Sequence, residues 1–369
     1  MTDFYVLISR ILRNMALWGL AALCAGVASG QQTRMLTGEK SNEYGVVYSL
    51  PLTELVVDAT CRVTTRVPGP YRDYARRYLG AEAAVPEASS RVELTGVEMA
   101  VRGVAGPQKY LMQMKPGALA SLCVAQSGML LAVNTEAEEP ALPTLPADGG
   151  GEAPDMDEYL RYVDADYMSS LSSAKRAQLL AQAIMEIRDS RLSLSRGTAE
   201  TMPADGRQLE LMLSSLERQE EALMRAFNGY EHTFTQTRRF TFLPDSASAQ
   251  GEETVLFRLS DTEGFCDAED WSGEPARLSL SLVQAPQMPL DLKGEPKAMP
   301  RNAVAYALPG TASVSLEWMG EQVCSNQLDF AQLGCVFGLD PKLFTDRRKP
   351  SMAVFNPATG ALVSVTECP

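Results

Sequence analysis

The chain has 369 residues, 45% hydrophobic and 21% charged, enough apolar material for two or three compact units and too much for a disordered chain. Its 33 basic and 46 acidic residues leave a net charge of −13. That charge repels phosphate backbones and anionic headgroups, so nucleic acid and acidic membrane surfaces are poor partners.

At the N-terminus, Arg10 and Arg13 precede an uncharged apolar run over 15–27, followed by the small residues Ala28-Ser29-Gly30. Positive flank, short apolar core and small-residue exit predict a secretory signal peptide over 1–30, cleaved near Gly30. The run is shorter than the roughly 20 residues of a membrane span. Leu23 before Cys24 lacks the small side chain that lipid attachment wants. Nothing after it approaches spanning length, so the expected location is the periplasm or the cell surface. Six cysteines follow the leader: Cys61, Cys123, Cys266, Cys324, Cys335 and Cys368. They allow three disulfides in any of fifteen pairings, yet Cys61 shares a strand face with Leu55, Val57, Ala59 and Val63, as a buried free thiol would.

Residues 31–134 read as a β-rich unit. Alternation and β-formers predict strands over 46–48, 54–64, 91–101 and 109–114, then a pair over 119–125 and 129–133. One short helix, 71–79, is opened by Pro68-Gly69-Pro70 and closed by Gly80. Residues 135–170 begin with acids, Pro140, Pro143, Pro146, Pro154 and Gly149-Gly150-Gly151, an acidic linker or long loop. Over 171–229 the period changes. Ser172 or Ser173 caps a helix running to about Ser195 and ended by Gly197; a second follows Pro203 and stops at Asn228-Gly229. Each is about 33 Å long at 1.5 Å per residue, and their short link predicts an antiparallel hairpin that must dock on a sheet or a partner. Residues 230–369 return to strands: 233–242, 254–260, 276–283, 304–307, 313–318, 351–355 and 361–366, the last two flanking a turn at Asn356-Pro357. The fold class is α+β, two β-rich units with helices between them.

The units echo one another. Tyr48-Ser49-Leu50-Pro51 matches Tyr306-Ala307-Leu308-Pro309, and Tyr74-Ala75 leading to Leu79-Gly80 parallels Phe330-Ala331 leading to Leu333-Gly334. Ser127-Gly128-Met129-Leu130 likewise parallels Thr359-Gly360-Ala361-Leu362. Three similarities in one order predict an internal duplication.

The same residues carry a resemblance. Tyr48-Ser49-Leu50-Pro51, Pro68-Gly69-Pro70-Tyr71, Tyr78-Leu79-Gly80, Ile187-Arg188, Pro203-Ala204-Asp205-Gly206, Gln219-Glu220-Glu221, Phe227-Asn228-Gly229 and Phe330-Ala331-Gln332-Leu333-Gly334 occur in one order along the mature chain. The chain resembles exported proteins of Bacteroidota grouped as domain of unknown function 4831. That resemblance implies an envelope location and no particular activity.

His232, the single histidine, is read as an ordinary strand residue, since no Gly-x-Ser-x-Gly elbow accompanies it. With one histidine and no Cys-x-x-Cys, neither a metal nor a cofactor is expected. Arg188, Asp189 and Arg191 on the first long helix face Arg218, Glu220 and Glu221 on the second, predicting a salt-bridge network; Arg188, Arg191 and Glu220 are its candidate interaction residues. Two acidic clusters, 155–166 and 267–270, read first as solvated loops, and Asp267 and Asp270 beside Trp271 are candidate ligand residues. The expectation is a non-enzymatic binding or structural module whose partner is an envelope protein, a glycan or a second copy. An acid-pair polysaccharide hydrolase is the alternative, requiring two carboxylates roughly 5–10 Å apart in a cleft.

Overall fold

A computed structural model describes residues 45–113, 120–245, 248–300, 303–346 and 349–368. The expected leader and Arg347-Arg348 lie outside the described residues. Antiparallel sheets and a few helices make up the protein, so α and β structure are mixed as the patterning implied.

Strands β1 (Gly45–Val67) and β2 (Ser89–Gln113) form a long antiparallel pair, and β5 (Tyr230–Phe242) flanks β1 on its other side. Facing them is a five-stranded sheet in the order β10-β9-β8-β6-β7. It comprises β6 (Thr254–Ser260), β7 (Gly264–Cys266), β8 (Glu274–Gln284), β9 (Val304–Trp318) and β10 (Glu321–Leu339). Period-two alternation puts Leu55, Val57, Ala59, Cys61 and Val63 on one face of β1, where they are fully buried against Phe257, Leu259, Leu278, Val314 and Leu316. Cys61 is thus a free buried thiol in this sandwich core.

The sequence splits β1 at 49–53 and β9 at 308–312, because each gap holds a proline. The structure corrects both: each strand runs through, and the ladder absorbs the proline by shifting register. The shifts fall between Ser49 and Pro51 on β1, and between Phe330 and Cys335 on β10, opposite Pro309. A residue without an N–H is tolerated at such a bulge. Strand β10 itself is unforeseen; its first half, with Gln322, Ser325, Asn326 and Gln327 exposed, lies on the sheet edge and carries no apolar alternation to read.

A third sheet, ordered β12-β11-β4-β3, joins distant parts of the chain: β3 (Leu122–Val124), β4 (Leu130–Val133), β11 (Ser351–Phe355) and β12 (Leu362–Glu367). Its link is the pairing of Val133 with Ala353 and Ala132 with Val354. Under it lies a second core of Tyr48, Leu130, Val133, Val304, Tyr306, Phe344 and Phe355. The buried Tyr48 hydroxyl accepts the Ala305 N–H at 2.7 Å and donates to the Ala305 carbonyl at 3.3 Å.

Around this junction, contacts recur. Ser49 N–H donates to Gly128 O at 2.9 Å, and Ala307 N–H to Gly360 O at 3.0 Å. Ala125 N–H donates to Met129 O, and Asn356 N–H to Ala361 O. A Cβ on Gly106 would press on the Leu50 carbonyl, and one on Gly334 on that of Leu308. One sequence echo fails: 74–80 is helical, whereas Phe330 to Gly334 lies in the bulge of β10.

The helical layer forms the third core. A 3-10 turn (Arg72–Tyr74) leads into α1 (Ala75–Leu79), and a second (Met156–Tyr162) precedes α2 (Ala165–Ser169). Then come α3 (Ser173–Arg196) and α4 (Gly206–Asn228); α5 (Lys342–Thr345) lies far along the chain. Ser172 and Asp205 cap α3 and α4 by accepting the N–H of Lys175 and Gln208, and Gly197, left-handed, ends α3. Tyr71, Tyr159 and Tyr167 join Leu180, Ile184, Leu223 and Phe227 beneath the helices.

The proline-rich stretch after Asn134 has no regular structure yet is pinned along β5. Gly149 exchanges two backbone hydrogen bonds with Thr235, the Asp148 carboxylate accepts from Thr237 N–H and Arg238, and the Pro143 carbonyl accepts from Arg239. Its acidity and prolines suggested slack; the strand beside it supplies donors for the backbone and carboxylates.

Candidate functional site

The paired helices α3 and α4 are rooted at one end only. Near the root, Ala177, Leu180, Ala181 and Ile184 of α3 and Ala222, Leu223, Ala226 and Phe227 of α4 are buried. Arg225 anchors the root, reaching Glu158 at 3.0 Å and the Asp155 carbonyl at 3.0 Å. Further out, Leu194 is the one buried side chain of either helix. Leu209, Leu213 and Leu216 are half-buried, while Leu211 is 64% exposed and Leu192 45%. An amphipathic helix normally closes its apolar stripe against a packed layer. Here each distal half has mainly the other helix.

Glu220 locks the two helices together. Its carboxylate accepts from Arg188 Nε at 2.6 Å and from Arg191 Nη1 at 2.5 Å; Arg191 also lies 3.7 Å from Glu217. Contacts progress in opposite senses along the two helices, Arg188 reaching Glu220 and Met224, Arg191 reaching Glu220 and Glu217. Burial pushes the Glu220 pKa up, but the hydrogen bonds and charges of the two arginines outweigh it and hold the carboxyl below its ordinary value.

Asp267, Asp270 and Trp271 lie elsewhere, in the loop after β7. A residue the sequence did not flag organises them: Arg258 of β6, only 7% exposed. Its guanidinium donates to the carbonyls of Ala268 at 2.8 Å and Gly273 at 3.1 Å, and Trp271 lies over it at 4.5 Å. The alternation of β6 is the signal that could have found it, since it turns Arg258 away from Phe257 and Leu259. The Asp270 carboxylate accepts the Ser272 N–H at 2.9 Å, which lowers its pKa, while the Asp267 carbonyl accepts Asp270 N–H. The other acidic cluster is likewise engaged locally. Asp155 caps the 3-10 turn through Asp157 N–H, and Asp164 caps α2 through Tyr167 N–H. His232 sits on β5 opposite Thr65, its ring beside Phe234.

Two concavities lie apart from all these residues. One, of about 360 Å³, sits where the bulges of β2 and β10 meet, lined by Leu50, Pro51, Tyr110, Gln332 and Cys335. The other, of about 840 Å³, lies at the far end of the sandwich between Thr64, Arg91, Glu231, Asp261 and Trp318. Among the described residues, no group of three or more His, Cys, Asp or Glu is placed to hold a metal ion, and no helix is long and apolar enough to cross a membrane.

A family model described as a domain of unknown function (DUF4831) matches residues 44–363, and the chain belongs to that family. No curated protein and no solved structure matches it.

Proposed function

We propose that this family member is an exported binding module whose contact element is the distal half of an α3–α4 hairpin. Its partner would be an envelope protein presenting an apolar surface. One observation carries the reading: Leu192 and Leu211 are exposed on the outer halves of these helices, where Leu194 is the one buried side chain. The lock of Arg188 and Arg191 on Glu220 supports it, because a pre-ordered helix pair loses less entropy on docking. The export half of the reading rests on Arg10, Arg13 and the apolar run that follows them.

The scaffold is read as two copies of one unit, β1 to β4 and β9 to β12. The matching bonds of Ser49 with Gly128 and Ala307 with Gly360 support that duplication, as do the two proline-associated bulges. The hydrolase alternative gains nothing from the acidic clusters, whose Asp155, Asp164 and Asp270 accept bonds from nearby backbone N–H groups.

The test is capture from native envelope with the tagged chain, beside a Leu192→Glu/Leu211→Glu variant shown to melt like the parent. A single envelope protein retained by the parent and lost by the variant, then rebinding after purification, is the expected result. Equal retention by both, or none by either, overturns the reading.

A further inference from the structure

We propose that β2 is also a dimerisation edge, pairing antiparallel with β2 of a second copy of this chain about a twofold axis at Ala100. This uses a different surface from the helices and does not depend on their role.

Among the described residues β2 has a single strand neighbour, β1, so its other edge is open along one of the longest strands of the fold. Such an edge presents unpaired backbone N–H and C=O groups. Bulges commonly spoil edges for pairing, and β2 has two register shifts. Both lie outside one clean stretch: from Ala105 opposite Pro51 to Gly96 opposite Thr60 the ladder is unbroken. Ala100 lies near the middle of it.

The core-facing row of this stretch is unfinished. Ala59, Val57 and Leu55 on β1 are fully buried, while Val97, Met99 and Val101, paired with them in that order, are only partly so. An added strand would extend the sheet and cover them.

The solvent-facing row selects the partner. It reads Glu98, Ala100, Arg102, all exposed. Folded on itself about Ala100, this row places each Glu98 opposite the second copy's Arg102, and Met99 opposite its Val101 on the core side. Arg102 already pairs with Glu54 across β1, so the second copy's Glu98 would be the second carboxylate on that guanidinium. Opposite charges facing across a strand pair attract, and like charges repel. Glu98 has reason to accept that cation. Its cross-strand neighbour is Asp58, another acid, whose carboxylate is held by Arg239 at 2.7 and 2.6 Å. Among the described residues Glu98 itself makes no ion pair. A self-complementary row is what an isologous twofold interface requires. The dimer would carry one continuous six-stranded sheet, β5-β1-β2 followed by its twofold mate.

Light scattering behind size exclusion, over a dilution series of the purified chain, is the experiment, with two variants. Glu98→Arg puts like charges together across the axis while setting an arginine beside Asp58 within the chain; its dimer should be weaker by about tenfold or more. Ala100→Cys puts a thiol on the axis, and mild oxidation should give a reducible covalent dimer beyond any the parent forms, whereas Glu93→Cys should not. A monomer at every concentration overturns the proposal. So does a dimer that Ala100→Cys fails to trap, or one indifferent to Glu98→Arg, since either would use another surface.

Discussion

Replacing Glu220 by Gln tests whether the arginine pair holds the helices together. The substitution keeps shape and one acceptor oxygen but removes the charge shared by Arg188 and Arg191. Hydrogen bonds to charged groups contribute about 1.5–3 kcal/mol each when sheltered. The two arginine side chains are 42% and 37% exposed, so solvent screening brings each nearer to about 0.5–1 kcal/mol. The expected loss is therefore about 1–2 kcal/mol, a fall of a few degrees in Tm for a chain of this size. The pH dependence carries a sign. Glu220 has a folded pKa below its ordinary value, so its stabilisation is complete above the unfolded carboxyl pKa of about 4.3 and fades as pH falls through the lower folded one. Urea melts followed by far-UV circular dichroism should show parent and variant separated near neutrality and converging in acid. Equal stability at neutrality would refute the coupling, and a gap that persists unchanged in acid would refute its electrostatic origin.

Three further outcomes follow from the backbone and the core. Gly229 holds φ +70 and ψ −164, and a Cβ there would come within 2.2 Å of the Val67 carbonyl oxygen; Gly229→Ala should cost about 3 kcal/mol or more in a urea titration. Met319 and Gly320 close the β9–β10 turn with φ of +53 and +79, a turn that suits Asn-Gly, so Met319→Asn should gain about 1 kcal/mol; a lower Tm would refute the strain. Burial pushes the Cys61 thiol up to about 11, so the neutral form is favoured in the fold. The stability it lends is present below its unfolded pKa and fades as pH rises from about 9 toward 11, and a Cys61→Ala variant should lack that alkaline loss.

The sequence is most readable where one physical rule acts alone. Ser172, Gly197 and Gly229 mark helix ends because capping is local chemistry, and Leu55 to Val63 announces a strand because one face is dry. It misleads where tertiary context overrides a local signal. Pro51 and Pro309 look like strand breaks, and only the bulged partner strand shows how the ladder passes them. Strand β10 is hidden because, Val323 apart, its exposed residues in the first half are polar. At the candidate site, the pairing of Arg188 and Arg191 with Glu220 follows from two helix faces meeting in opposite directions. The alternation of β6 sets Arg258 apart from Phe257 and Leu259, but its burial shows only once the carbonyls of Ala268 and Gly273 have folded around it.

The pairing of Tyr48 with Ala305 joins residues 257 positions apart, and it has a consequence for the order of synthesis. Strand β1 is the first part of the described fold to be made, yet its core is among the last to be closed. At elongation rates of roughly 5–20 residues per second, Tyr48 waits on the order of 10–50 s for its acceptor and donor to exist. Until β6 and β8 are made, Leu55, Val57 and Val63 have nothing of the facing sheet to pack on, and only β2 and then β5 to pair with. The nascent chain therefore presents the apolar face of its first strand to solvent until the facing sheet begins to form, and a holding chaperone would find its longest-lived target there.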